Sequence, residues 1–255
     1  MREEEVSLGG NLNQAVRVGD TVRRRAGPWT PAVHSLLRYL EQAGFEAPRV
    51  LGIDAQGREI LAFIIGEAYA GAENPVPDRI FDEEHLVEAA RLLRGYHDVV
   101  SRFGLPPGAT WRLVAPTEHE VICHNDWSPW NALFRDGQLA VMLDWDLAGP
   151  GSRLWDVANS AACWVTLFSQ AKLFSLAERA QRLRLFCDAY GLEDRSSLLA
   201  TIRSRNDYVA RFIEARARAG EPGFVTLARW DTPALMDNDI AYLDQHRSTF
   251  ERALK

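Results

Sequence analysis

One stretch constrains this chain more than any other: Cys123-His124-Asn125-Asp126-Trp127-Ser128-Pro129-Trp130-Asn131, followed by Met142-Leu143-Asp144-Trp145-Asp146. Val121-Ile122-Cys123 is a short apolar run that delivers His124 into a buried turn. Pro129 keeps the segment after it from forming a regular helix. Beyond Asn131, the apolar runs Ala132-Leu133-Phe134 and Leu139 to Leu143 flank Arg135-Asp136-Gly137. Two apolar runs around Asp-Gly predict a β-hairpin. Its return strand brings Asp144 within reach of Asn131. A lone His-x-Asp carries little weight, and Asp-rich turns commonly cap helices or solvate loops. Here several polar residues fall at mutually consistent offsets with a hairpin between them.

His124-x-Asp126 with Asn131 five residues on has the spacing H-R-D-x-x-x-x-N of the kinase catalytic loop. In that arrangement the Asp accepts the proton of an attacking hydroxyl and the Asn holds a metal ion. A second Asp, at the end of a strand, coordinates the metal that bridges the nucleotide phosphates. The chemistry needs such convergence, because oxygen-bearing side chains must share hard cations with phosphate oxygens. The stretch resembles the aminoglycoside phosphotransferase and choline kinase-like family, in which an H-x-D-x-x-x-x-N loop is followed by a D-W-D/E turn. Gly149-Pro150-Gly151-Ser152-Arg153-Leu154-Trp155-Asp156-Val157-Ala158 is similar to the family's G-x-x-x-x-D-x-A continuation. The likeness extends over nearly the whole chain and is sharp from about Cys123 to Ala158.

The resemblance implies an α+β, protein kinase-like two-lobed fold. A small β-rich lobe over 1–66 would bind nucleotide, and a larger, mostly helical lobe over 67–255 would hold the catalytic loops and the acceptor. It implies Asp126 as general base, His124 as a brace of its loop, and Asn131 and Asp144 as Mg²⁺ ligands. Asp146 supports Asp144 or a metal, and Asp156 hydrogen-bonds the catalytic loop backbone. The donor is ATP or GTP.

Composition narrows the classes. The chain has 255 residues, enough for one large domain or two lobes. Residues 1–66 carry 8 Lys/Arg and 8 Asp/Glu, and the remaining 21 and 27 give the second part the whole net charge of −6. That balance argues against a nucleic-acid partner and suits a cationic small acceptor. No apolar run is long enough to span a bilayer, and the acidic N-terminus lacks a signal region, so the expectation is a cytoplasmic protein with no membrane partner. Cys123, Cys163 and Cys187 show no metal-ligand spacing and read as buried thiols. Oligomeric state is not legible.

Taken in order, Val6 to Leu8, Ala15 to Val18 and Thr21 to Arg24 read as strands, the last two joined across Gly19-Asp20. Gly9-Gly10 with Asn13 resembles the family's short G-G-x-x-N nucleotide loop. Arg23 and Arg24 are the candidates for the phosphate-binding cation on the next strand, and alternation allows only one to face the cleft. A helix follows, with Thr30 as cap and Pro31 at its first position. The glutamate that kinases carry there is missing; Val33 and His34 stand in its place. Either another residue holds the arginine or His34 orients it. Phe63, Ile64 and Ile65, ahead of Gly66, resemble the inter-lobe hinge whose backbone binds adenine. Asp82 caps a helix to about Phe103 with an apolar stripe at Leu86, Ala89, Leu93, Tyr96 and Val100, and His97 packs beside it. Helices are predicted over 154–168, 175–190, 194–219 and 233–254, with Gly191 and Gly220 as stops. Arg203, Arg205, Arg211, Arg216 and Arg218 read as a solvated face.

The functional expectation is an ATP-dependent O-phosphotransferase acting on a small hydroxylated molecule, with an aminoglycoside or other antibiotic as the leading acceptor. Glu214, Asp231, Asp237 and Asp239 are candidate amine-binding carboxylates, and Trp127 and Trp130 candidate walls of the acceptor pocket. The alternatives are a kinase of a metabolite alcohol such as choline or homoserine, and a nucleotide-binding protein without transfer. A protein kinase is opposed by the D-W-D turn and the missing A-P-E segment.

Overall fold

The computed structural model describes residues 4–9, 15–69 and 74–255. Gly10 and Asn13 of the expected nucleotide loop lie outside the described residues. The chain divides into two compact units, Met1–Val76 with Tyr96–Arg153 and Pro77–Gly95 with Leu154–Lys255.

The first unit opens on a five-stranded antiparallel sheet. Its strands are β1 (Val6–Ser7), β2 (Val16–Val18), β3 (Thr21–Arg25), β4 (Val50–Ile53) and β5 (Arg58–Ala62), in the order β1-β2-β3-β5-β4. β2 and β3 form the hairpin expected across Gly19-Asp20, with Gly19 at φ 57°. Helix α1 (Thr30–Gln42) buries Val33, His34, Leu36, Leu37 and Leu40 on one face. Its cap differs from expectation. Trp29 is the N-cap and makes no side-chain cap, while the Thr30 hydroxyl accepts from the Gly27 N–H at 2.8 Å. The Trp29 indole is folded back over Gly27, where a Cβ would lie 2.4 Å from the ring.

Beyond the sheet, β6 (Glu67–Ala68), β8 (Ala132–Arg135) and β9 (Gln138–Met142) form a three-stranded sheet. The β8–β9 turn places both Asp136 and Gly137 at positive φ, 51° and 79°. That is the backbone an Asp-Gly hairpin turn selects. β7 (Val121–Cys123) pairs antiparallel with β10 (Gly149–Gly151), a strand not anticipated because Gly-Pro-Gly has low strand propensity. Close approach explains it: a Cβ at Gly149 would sit 1.9 Å from the Leu113 carbonyl oxygen.

Helix α2 (Glu83–Val100) is entered through Asp82, whose carboxylate accepts from the His85 N–H at 2.8 Å. It buries Leu86, Ala89, Leu93, Tyr96, His97 and Val100. The second unit is helical: α3 (Arg153–Val165), α4 (Leu176–Tyr190), α5 (Leu198–Arg218), α6 (Pro222–Arg229) and α7 (Thr232–Ala253). α4 begins with a capping box of Ser175 and Glu178 and ends at Gly191 in the left-handed conformation. α6 was not among the predicted helices. It is cut from α7 by Trp230 and by Asp231 at φ 59°. α5 packs along both α6 and α7, and α4 also packs on α7. Arg179 is buried and donates to the carbonyls of Phe168, Ala171 and Phe174, tying down the α3–α4 connection. Arg205 is buried too, so it does not belong to the solvated arginine face. All three cysteines are buried free thiols.

Candidate active site

The candidate residues of the first unit are brought together by one hairpin and two paired antiparallel strands. β7 leads into His124, which is fully buried. The Asp126 N–H donates to His124 Nδ1 at 3.2 Å. That bond leaves the ring proton on Nε2, which donates to the Leu143 carbonyl at 3.0 Å. His124 therefore ties the loop of Asp126 to the residue before Asp144. Its ring also rests against Trp145, with centroids 4.5 Å apart. Asn125 turns the chain at φ 65° and donates from Nδ2 to the Leu147 carbonyl at 2.9 Å. Two neighbouring residues thus each bridge the two loops.

Asn131 completes the tie. Its Nδ2 donates to the Asp126 carbonyl and to Asp126 Oδ2, both at 2.8 Å. Its own carbonyl accepts from the Leu143 N–H at 2.8 Å. Asp126 is half-buried. Asp144 stands at φ 57°, which turns its side chain out of β9, and that side chain keeps 39% of its exposure. Asp146 faces inward and is buried.

Of the two strand arginines, Arg24 reaches this cluster. It is buried, and its Nε donates to Glu59 Oε1. Its two terminal nitrogens lie 2.9 Å from Asp144 Oδ1 and 2.9 Å from Asp146 Oδ1. Arg23 leaves β3 on the opposite face and lies 3.7 Å from Asp54. The missing helix glutamate is answered by Glu59 of β5, which sits directly across from Arg24 in the β3–β5 ladder. His34 of α1 closes the relay, with Nε2 2.9 Å from Glu59 Oε2. Both openings left by the sequence are therefore taken: another residue holds the arginine, and His34 orients that residue.

Electrostatics follow from burial and charge. Burial alone would lower the Arg24 pKa, but Asp146, Glu59 and Asp144 outweigh it and hold the guanidinium firmly charged. Burial would raise Glu59; Arg24 and His34 overcome it and hold the carboxyl below its ordinary value. Burial pushes Asp146 up to about 6, with Asp144 and Glu59 adding to it and Arg24 and Arg112 opposing. Asp146 remains ionised at neutral pH, on the strength of its two guanidinium partners. Arg112 is a contributor that the sequence did not point to. It is buried, lies over the Trp29 ring at 4.1 Å, and donates to Asp146 Oδ2 at 3.4 Å. No local pattern marks Arg112. Glu59 had a signal, being an acid in phase with buried Leu61 on a strand.

Phe63, Ile64 and Ile65 lie just after β5, outside the strand. The Phe63 N–H donates to the Asp20 carbonyl at 2.9 Å, and the Arg17 guanidinium lies 3.9 Å over its ring. The Ile65 carbonyl accepts from Arg135 at 3.2 Å. Gly66 has φ 157°, and a Cβ there would meet Leu133 at 2.4 Å and the Phe134 carbonyl at 2.6 Å. This segment must therefore end in glycine. Asp156 is fully buried in the first turn of α3, in the second unit. Trp127 is fully buried, whereas Trp130 keeps 37% exposure beside Asn131. Among the acceptor candidates, Glu214 lies near Arg211 and Arg218, Asp239 accepts from Ser169, and Asp231 and Asp237 are exposed.

A magnesium site would be built here from Asp144 and Asn131. Among the described residues no three His, Cys, Asp or Glu side chains form a metal group. Mg²⁺ shared with a nucleotide takes one or two protein oxygens and completes its shell with phosphates and water. Asp144 offers an exposed carboxylate and Asn131 an amide, held beside each other by the Leu143 bond.

Residues 107–230 match the model of the phosphotransferase enzyme family, APH. A trifolitoxin immunity protein of Rhizobium leguminosarum bv. trifolii is 32% identical over 278 aligned positions that cover all of both chains. Among solved structures, the amicoumacin kinase hAmiN, in complex with AMP-PNP, Ca²⁺ and Ami, aligns at 12% identity and TM-score 0.63 over 93% of this chain and 89% of its own. Aminoglycoside 2'-phosphotransferase-IIIa, in its GDP complex, aligns at 14% and 0.62 over 94% and 93%. A choline/ethanolamine kinase family protein from Mesorhizobium loti aligns at 19% and 0.52 over 99% and 92%. The solved structures share the kinase-like α+β fold with this chain. Among the described residues, no helix is long and apolar enough to cross a membrane.

Proposed function

The chain belongs to the APH phosphotransferase enzyme family of small-molecule kinases, and on that premise we propose that it transfers the γ-phosphoryl group of ATP to a hydroxyl of a small antibiotic or toxin. One observation carries the reading: Asp126 and Asp144, eighteen positions apart in sequence, are fixed to each other through His124 and Asn131 by bonds of 2.8–3.2 Å. A general base and a metal-binding carboxylate need such mutual placement. A merely structural pair does not need both to stay partly open, as Asp126 and Asp144 do.

The residues divide the work as follows. Asp126 orients the acceptor hydroxyl and accepts its proton as the oxygen attacks the γ-phosphorus. The new O–P bond forms while the bond to the β–γ bridging oxygen breaks, and ADP leaves. Asn131 fixes the Asp126 carboxylate through Nδ2. Arg24 presents a fixed positive charge to the phosphates, held by Glu59 from behind. Asp144 and Asn131 would hold Mg²⁺, which would supply charge neutralisation at the phosphate oxygens. His124 keeps the two loops in register. Phe63 to Ile65 offer hinge backbone to the base of the nucleotide. Preorganised position and charge supply most of the rate in such a site.

The acceptor class rests on the 32% identical relative, whose name is that of an immunity protein against a toxin. Metabolite alcohols such as choline have the weaker support of fold likeness alone. The test is release of ADP from ATP or of GDP from GTP, with Mg²⁺, across aminoglycosides, other hydroxylated antibiotics, toxins, choline and amino alcohols. Turnover with an antibiotic or toxin supports the reading, and turnover with choline alone replaces the acceptor class. Tight nucleotide binding with no acceptor turned over would instead favour neutralisation by binding.

A further inference from the structure

We propose that the two acids of the Asp144-Trp145-Asp146 turn have separate tasks. On this reading Asp146 is a positioning residue, not a metal ligand, and Arg112 anchors it so that Arg24 is held for the nucleotide phosphates. The inference rests on the nucleotide-binding reading above and deepens it.

The argument begins with the three nitrogens of Arg24. Nε goes to Glu59, whose side chain is 1% exposed, and one terminal nitrogen goes to Asp146, whose side chain is 3% exposed. These two buried carboxylates hold different nitrogens of the planar guanidinium and so fix its plane. The remaining terminal nitrogen meets Asp144, which alone of the three keeps substantial exposure, 39%. The Arg24–Asp144 contact is therefore the one that incoming cations and phosphates can reach and exchange. The other two contacts form a rigid clamp.

Asp146 itself is engaged on both oxygens. Oδ1 lies 2.9 Å from Arg24 and Oδ2 3.4 Å from Arg112. A buried carboxylate with a guanidinium on each oxygen has little to offer a hard cation, which needs an open lone pair and room for water or phosphate. A 3.4 Å bond holds only if its donor cannot drift. The packing supplies that restraint, since the Arg112 guanidinium lies 4.1 Å over the Trp29 ring and the side chain is 5% exposed. Trp29 is in turn folded over Gly27, where any side chain would collide with the indole. The relay runs from Gly27 and Trp29 through Arg112 and Asp146 to Arg24. It is a separate arm from that of Glu59 and His34. Arginine suits the anchor because its planar, permanently charged group stacks and hydrogen-bonds at once.

The test uses the full chain and calorimetric binding of ATP, titrated against MgCl₂, for the wild type, R112M, R112K, D146N and D144N. Supporting groups of this kind typically contribute about ten- to a hundredfold in affinity or activity. R112M and D146N are expected to weaken ATP binding by about tenfold or more at saturating Mg²⁺, with the Mg²⁺ midpoint left near that of the wild type. D144N is expected to move the Mg²⁺ midpoint upward. R112K keeps the charge but loses the stacked fork and should fall between. Should R112M not fold, D146N, which preserves shape, decides the matter. ATP affinity of R112M and D146N equal to the wild type, or a Mg²⁺ midpoint in D146N displaced as far as in D144N, overturns this division of labour alone. A wild-type chain that binds no ATP overturns it together with the nucleotide-binding reading.

Discussion

Arg24 is the side chain that the rest of the site is arranged around. It enters from β3 and meets three carboxylates contributed by two other segments. Removing one partner of a buried, hydrogen-bonded charge cluster leaves the others uncompensated, at a cost of about 3–5 kcal/mol. R24A is therefore expected to lower stability to urea by that order, and R24K by less. An unchanged unfolding midpoint in R24A would contradict the buried cluster. Glu59 gives this cluster a pH signature. Its carboxyl is held below the ordinary 4.5 by Arg24 and His34 against the opposing effect of burial. The stability it contributes is fully present above pH 4.5 and is lost as pH falls through the depressed folded value. The melting-temperature gap between wild type and E59Q should then be widest near neutrality and close on acidification below 4.5. A gap that widens on acidification would show the opposite sign of shift.

The elements explain which parts of this arrangement were legible beforehand. The 121–146 segment could be read because its determinants are local: a strand, a proline-broken turn, an Asp-Gly hairpin and residues at fixed offsets. Strand alternation showed that only one of Arg23 and Arg24 could face the cluster, and the β3–β5 register decides for Arg24. Arg112 was not legible, and Glu59 showed only as an acid in phase with buried Leu61, because their partners lie 34 and 35 positions away, and pairing at that distance depends on how the 104–120 loop and β5 are docked. α6 was missed for a different reason, since it follows Gly220, a helix stop, and opens on Pro222. β10 was missed because glycine and proline carry no strand signal, and its cause is steric. G149A is expected to destabilise the β7–β10 pair by about 1–3 kcal/mol, the usual cost of overpacking, because the added carbon meets the Leu113 carbonyl. Full stability of G149A in a thermal melt would contradict that close approach.

Considered whole, the molecule joins a unit rich in antiparallel strands with a helical one, and the candidate phosphate-handling residues other than Asp156 belong to the first. A ligand that binds only the native state stabilises it by mass action, about 2.7 kcal/mol at a hundred times its dissociation constant. ATP with Mg²⁺ should therefore raise the melting temperature of the wild type, and less so that of R24A. Equal shifts in the two would remove Arg24 from nucleotide binding. The acidic balance of residues 67–255 remains compatible with a cationic acceptor, although Glu214 and Asp239 are engaged within their own unit.

The most direct measurement is the mass of the acceptor itself after incubation with ATP and Mg²⁺, comparing wild type with D126N. A positioned general base is worth about 10²–10⁴-fold, so the account predicts one added phosphate per acceptor with the wild type and a trace at most with a folded D126N. Phosphorylated acceptor at wild-type rate from D126N would contradict the assignment of Asp126. No phosphorylated acceptor from a wild-type chain that binds ATP, across the full antibiotic and toxin panel, would contradict the transfer reaction itself.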